Sequence, residues 1–157
     1  MKRTIDPLSA LFSAEVMTQV EQMSMPYLGY LLLREKLAHR LLGESEAAIL
    51  YWTGKELGNQ LIVDSAEQLE LIFIRLGLGR LDLLAHSEGQ LRFRLSHTAY
   101  ALLPLERLSR MLSWETGLLA GAVAAWAGRP AQAVLELQQG TDKKPVALIS
   151  VRLDPVE

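Results

Sequence analysis

The spacing of apolar residues changes period along this chain. From Tyr27 to Leu42, YLGYLLLREKLAHRLL, leucines 28, 31, 32, 37, 41 and 42 recur at helical intervals. That spacing predicts a helix with these leucines on a buried face and Arg34, Glu35, His39 and Arg40 turned elsewhere. Gly43 suits a left-handed residue after it, and Ser45 stands where it would cap a second helix over 46–61. SAEQ at 65–68 has the form of a capping box, opening a helix that runs to Gly77 with Leu69, Ile72, Phe73 and Leu76 inward. The period then falls to two. Leu91, Phe93 and Leu95 alternate with Arg92, Arg94 and Ser96, and HSEG supplies a turn, so 80–97 reads as a β-hairpin. Pro104 interrupts ALLPLERLSRML. Ser113 is placed to cap a helix over 114–127, which Gly128 and Pro130 end. AQAVLELQQ and PVALISVRL, joined by GTDKKP, form a second hairpin with Ala147, Ile149, Val151 and Leu153 on one face.

The order helices–hairpin–helix–hairpin predicts an α+β fold: an antiparallel sheet built from two hairpins with helices packed on one face. Residues 27–157 read as a single domain, preceded by an arm or short helix over 1–26.

Two helices in this scheme contain an unfavourable feature. YWTGKELGNQL places Gly54 and Gly58 four apart, and SWETGLLAGAVAAWAG does the same with Gly117 and Gly121. Each mid-helix glycine costs about 1 kcal/mol against alanine. Glycines four apart share one helix face, so each pair leaves a bare groove that another backbone or a ligand can approach. Two explanations stand: close packing inside the domain, or a groove bordering a cavity or a dimer seam. The echo between WTGKELG and WETGLLAG, each with a tryptophan ahead of its glycines, suggests a pseudo-repeat.

Composition narrows the function. Half of the 157 residues are apolar, and the net charge is −2, which argues against phosphate-neutralising nucleic-acid binding and against polybasic membrane binding. Cysteine is absent, excluding thiol chemistry, disulfides and cysteine-held metals. The first 22 residues lack a signal-peptide core, and no apolar run approaches the roughly 18 residues of a membrane span, so a cytoplasmic domain is expected. His39, His86 and His97 have no metal-ligand spacing; His39 sits beside Arg40, and haem is not expected there. Gly77-Leu78-Gly79 follows a helix, the reverse of a dinucleotide fingerprint. Glu35, Glu56 and Glu115 lie near apolar stretches, but ion pairing is their commoner role, and no catalytic constellation, metal site or cofactor is assigned.

The stretch GYLLLREKLAHRLLGESEAAILYWTGKELGNQL resembles a family of uncharacterised, mostly Gram-positive bacterial proteins typified by YslB. The resemblance is carried by Arg34-Glu35, Leu41-Leu42-Gly43, Ile49-Leu50-Tyr51-Trp52 and Gly54-Lys55-Glu56-Leu57, and continues through SWETGLLAGAVAAWAGRPAQAVLEL. That family is similar in turn to the superfamily of four-vinyl-reductase-like domains, haem nitric-oxide sensors and TRAPP subunits. The resemblance implies helices on a sheet of two hairpins, binding of small hydrophobic molecules, acyl chains or haem, and frequent dimerisation. The cysteines that many sensing members carry near the last hairpin are missing here.

Taken together, these features predict a non-enzymatic homodimeric domain that binds an apolar small molecule or a protein partner beside the glycine faces. Tyr51, Trp52, Gly54, Gly58, Trp114, Gly117 and Gly121 are the expected site residues. The alternative is a scaffolding domain that uses the same glycines for packing alone.

Overall fold

The computed structural model describes residues 5–140 and 142–156; the first four residues of the expected arm and Thr141 of the second hairpin's loop lie outside that range. The elements are α1 (Ala14–Val20), α2 (Tyr27–Leu31), a π-turn (Leu32–Leu37), α3 (Ala38–Leu42), α4 (Glu46–Gly58), α5 (Ala66–Arg75), β1 (Arg80–Ser87), β2 (Gln90–Ser96), α6 (Leu105–Met111), α7 (Ser113–Ala127), β3 (Ala131–Gln139) and β4 (Pro145–Leu153). The fold is α+β, as the period changes predicted.

Both hairpins join one antiparallel sheet in the order β1-β2-β4-β3. Across the β2–β4 seam Leu91 pairs with Val151, Phe93 with Ile149 and Leu95 with Ala147, so every second residue contributes to one buried apolar face. The other face carries Arg92, Arg94, Gln132 and Arg152 in solvent, and Arg94 reaches Asp82 at 3.2 Å from the neighbouring strand. α7 lies over the buried face and is enclosed on every side through Glu115–Val123. Such a helix needs no polar face, which explains its nearly continuous run of small and apolar residues.

Local signals fared unevenly. Gly43 and Gly128 hold positive φ, as their positions predicted. The Ser65 hydroxyl caps α5 by accepting from the Gln68 amide at 3.3 Å, but the returning Gln68 side chain accepts from Asp64 rather than Ser65. Ser45 makes no side-chain cap, because a 3₁₀ turn over Gly43–Ser45 leads straight into α4, which ends at Gly58 rather than at Leu61. Ser113 also does not cap: it lies within α7, and its hydroxyl donates to the Ser109 carbonyl of α6. The arm docks on α5. Leu8 is buried, Ile62 donates its amide to Pro7 at 3.0 Å, and Arg75 grips both Asp6 oxygens at 3.0 Å.

The largest departure from expectation is in α2–α3. The two run on through the π-turn with helical backbone at both joints. A π-turn widens one turn of the helix and rotates the residues beyond it about the axis. Leu28, Leu32, Leu37 and Leu41 therefore face solvent, while Arg34 and Glu35 turn inward. The expected burial of these leucines is thus reversed, because two ion clusters hold the charged residues inside.

Candidate functional site

α4 and α7 lie side by side with their glycines facing each other. A Cβ on Gly54 would fall 2.2 Å from the Trp114 carbonyl oxygen, and one on Gly58 would fall 2.1 Å from that of Leu118. Reciprocally, a Cβ on Gly117 would fall 1.9 Å from the Tyr51 oxygen, and one on Gly121 would fall 2.0 Å from that of Lys55. Contacts advance in the same direction on both helices, so the pair is parallel. The geometry is also two-fold: Gly54 meets Trp114 and Leu118, and Gly117, at 54 + 63, meets Tyr51 and Lys55, at 114 − 63 and 118 − 63. The internal echo is therefore a structural one, with Tyr51-Trp52-Thr53-Gly54 matching Trp114-Glu115-Thr116-Gly117. Tyr51, not Trp52, is the counterpart of Trp114. The close approach aims glycine Cα–H groups at carbonyl oxygens, a weak attraction that partly offsets the glycines' helix cost.

The seven expected site residues all sit on these two helices but have different roles. Gly54, Gly58, Gly117 and Gly121 are buried in the crossing. Tyr51 leans onto the sheet edge, where its hydroxyl accepts from the Ala133 amide of β3 at 3.0 Å and satisfies an edge-strand donor. Trp52 stays 63% exposed with the Lys55 ammonium 5.1 Å from its ring centroid. Trp52 and Gly121 border an open hollow of about 360 Å³ with Lys55, Glu56, Asn59 and Ala124.

Trp114 lines a different pocket. About 250 Å³ lies between Tyr30, Arg34 and Ala38 of the α2–α3 helix, Leu50 of α4, Leu76 and Leu78 after α5, and Trp114. Its walls are apolar except at the Arg34 end. The Arg34 guanidinium donates to the Tyr30 hydroxyl, to the Met111 carbonyl at 3.1 Å and to Glu115. It also stacks 5.2 Å from the Trp114 ring centroid. Three of its five N–H groups are thus used by described residues. Burial pushes the Glu115 carboxyl above its ordinary range, with Arg34 holding it back. Burial works against the Arg34 guanidinium too, but Glu115 and Tyr30 outweigh it and keep it charged.

A second cluster, one turn along, is built on Arg107 of α6. Arg107 donates to both Glu46 oxygens at 2.7 and 3.1 Å, to the Glu35 carboxylate at 2.9 Å and to the Glu35 carbonyl at 3.0 Å. His39 Nδ1 lies 3.0 Å from the same guanidinium. Burial raises the Glu35 carboxyl, but Arg107 and Lys36 overcome it and leave Glu35 below its ordinary value. Glu46 and Arg107 escaped sequence reasoning, since the two are 61 residues apart. The available signal was Arg34-Glu35 breaking an otherwise leucine-rich run. Glu56, grouped with Glu35 and Glu115 on sequence grounds, is exposed.

His97 stacks on Tyr27 at 4.9 Å, and its Nδ1 accepts from the Ala99 amide at 3.0 Å. No group of three His, Asp or Glu able to hold a metal occurs among the described residues. No helix among them is long and apolar enough to cross a membrane.

Residues 27–150 match a family described as "Protein of unknown function (DUF2507)". No curated protein matches the chain. Among solved structures, a vinyl-4-reductase family protein from Methanocaldococcus jannaschii is similar over 99% of this chain and 98% of its own, with a TM-score of 0.60 and 19% identity. An H-NOX protein from K. algicida, in its unliganded Fe(II) form, aligns over 94% of this chain and 91% of its own, with a TM-score of 0.46 and 12% identity. The first of these shows a shared fold and nothing further.

Proposed function

We propose that this chain, which belongs to the DUF2507 family of proteins of unknown function, is a non-enzymatic domain that binds a small apolar molecule between the α2–α3 helix and Trp114. The observation that carries this reading is the 250 Å³ pocket whose apolar walls end at the Arg34 guanidinium. Its volume lies just under the about 300–1,000 Å³ typical of drug-sized ligands, so a compact molecule is favoured over a long chain. Donors remain on Arg34 for an acceptor at one end of the ligand, such as a carboxylate or carbonyl. The glycine faces contribute indirectly: they set the separation of Leu50 on α4 and Trp114 on α7, which form two of the pocket's walls. The motif resemblance to YslB-like proteins and their small-molecule-binding superfamily supports the same reading by analogy of fold.

Ala38→Phe tests it, since the new ring fills the pocket from one wall. The wild-type chain should bind an environment-sensitive apolar dye or carry a co-purifying molecule visible by native mass spectrometry. The variant should lose both while keeping its melting temperature. Equal dye binding by the two proteins, or none by either, contradicts the proposal. One observation favours the rival, a scaffold without a ligand: all four glycines are used in helix packing, and none lines this pocket.

A further inference from the structure

The solvent face of the α2–α3 helix is unusually apolar. Leu28, Leu32, Leu37 and Leu41 are 81%, 59%, 46% and 73% exposed, and Leu33 beside them is half exposed. Scattered exposed leucines need no explanation, but a contiguous stripe on one helix does. The intervals along the stripe are four, five and four residues, the five spanning the π-turn. The pattern therefore reads the same in both directions, with its midpoint in the π-turn.

We infer that this stripe is a two-fold interface with a second copy of the chain, the two helices lying antiparallel across it. A two-fold axis through the midpoint brings Leu28 opposite the partner copy's position 41 and Leu32 opposite its position 37. An isologous interface requires this kind of self-complementarity, and a palindromic stripe supplies it. The charges agree. Lys36 and Arg40 flank the stripe, and the same axis sets them against positions 33 and 29, which are leucine and glycine. No like charges meet, and the two long stems can lie along apolar surface with their heads in water. A parallel arrangement would set Lys36 against Lys36 and Arg40 against Arg40. Five leucines leave several hundred Å² open on each copy, a large part of the about 800 Å² per partner that a stable dimer buries. The pocket lies on the opposite face of the same helix, so this inference does not rest on the ligand reading.

The chain has no cysteine, which makes the geometry directly testable. Sedimentation of the wild-type protein should show a dimer, and the paired change Leu32→Glu with Leu37→Glu should give folded monomers. Single variants Leu28→Cys and Leu41→Cys should each resist a short bismaleimide when expressed alone, and should cross-link when co-expressed. A monomeric wild type at high micromolar concentration overturns the inference. So does a dimer untouched by the two glutamates, or Leu28→Cys chains that cross-link to one another as readily as to Leu41→Cys chains. The cysteine changes sit at exposed positions, so they remain informative even if the glutamate pair fails to fold.

Discussion

Two helix contacts, α4 with α7 and α2–α3 with the body of the domain, follow opposite rules. The first is almost free of side chains: four glycines let two backbones touch, and a methyl group at any of them would strike a carbonyl oxygen. The second is held by long charged side chains, with Arg34 and Glu35 reaching inward to Glu115 and Arg107. A glycine contact has no adjustable parts, so it fixes the distance between helices and tolerates no substitution. An ion cluster adapts its rotamers but depends on every partner being present, because a buried charge left alone is costly. The rigid contact sits at the centre of the molecule. The adaptable one carries the helix that has a pocket on one side and exposed leucines on the other.

The largest effect should come from the rigid contact. Gly58→Leu drives a branched side chain into the Leu118 carbonyl and should leave no cooperative unfolding transition by circular dichroism. A folded, wild-type-like variant would show that the two helices can separate at little cost. Next comes the ion cluster. Arg107→Met strands the fully buried Glu46 beside Glu35 and should cost about 3–5 kcal/mol in urea unfolding. Adding Glu46→Met should recover part of that loss. If the double variant is less stable than the single, the His39 imidazole, 3.7 Å from Glu46, contributes more to holding that carboxylate than Arg107 does.

The smallest effect is a pH dependence at the edge of the α2 contact. Burial holds the His97 imidazole below its ordinary value of 6.5, and its Nδ1 accepts a backbone hydrogen bond that only the unprotonated nitrogen can accept. The neutral ring is therefore the folded form. Its contribution is complete above pH 6.5 and is lost as pH falls through the lower folded value. Melting temperature should fall as pH drops below 6.5, and level off once pH passes below the lower folded value. His97→Asn, which keeps an acceptor without titrating, should flatten that part of the profile. An unchanged slope in the variant would assign the titration to other groups.

The same contrast explains which features are legible in the amino-acid sequence. The glycine faces can be read because their information is local: two residues, four apart, on one helix. The hairpins can be read from their two-residue period, and Gly43 and Gly128 from the backbone conformation they permit. The α2–α3 helix misleads because its leucines keep helical spacing whether they face in or out. What decides the matter is Glu115, 81 residues beyond Arg34, and Arg107, 72 beyond Glu35. Buried partners at that separation favour the π-turn, and no local pattern contains them. The proposed pocket is barely legible for the same reason: Trp114 alone of its lining residues is among the expected site residues. Tyr30, Arg34 and Ala38 reach it only because their helix is turned round. The expected cap at Ser45 fails for a smaller cause, a tight turn that leaves its hydroxyl no amide to reach.

Backbone contact between α4 and α7 is the feature on which the rest of the molecule depends most, and a matched pair of alanine substitutions measures it. Gly117→Ala places a methyl group 1.9 Å from the Tyr51 oxygen, whereas Gly89→Ala meets nothing within 4 Å. Equilibrium urea unfolding should show Gly117→Ala losing about 3 kcal/mol or more, the upper end for an overpacked core, and Gly89→Ala staying within about 0.5 kcal/mol of wild type. Equal stability of the two variants would contradict a backbone contact at this crossing.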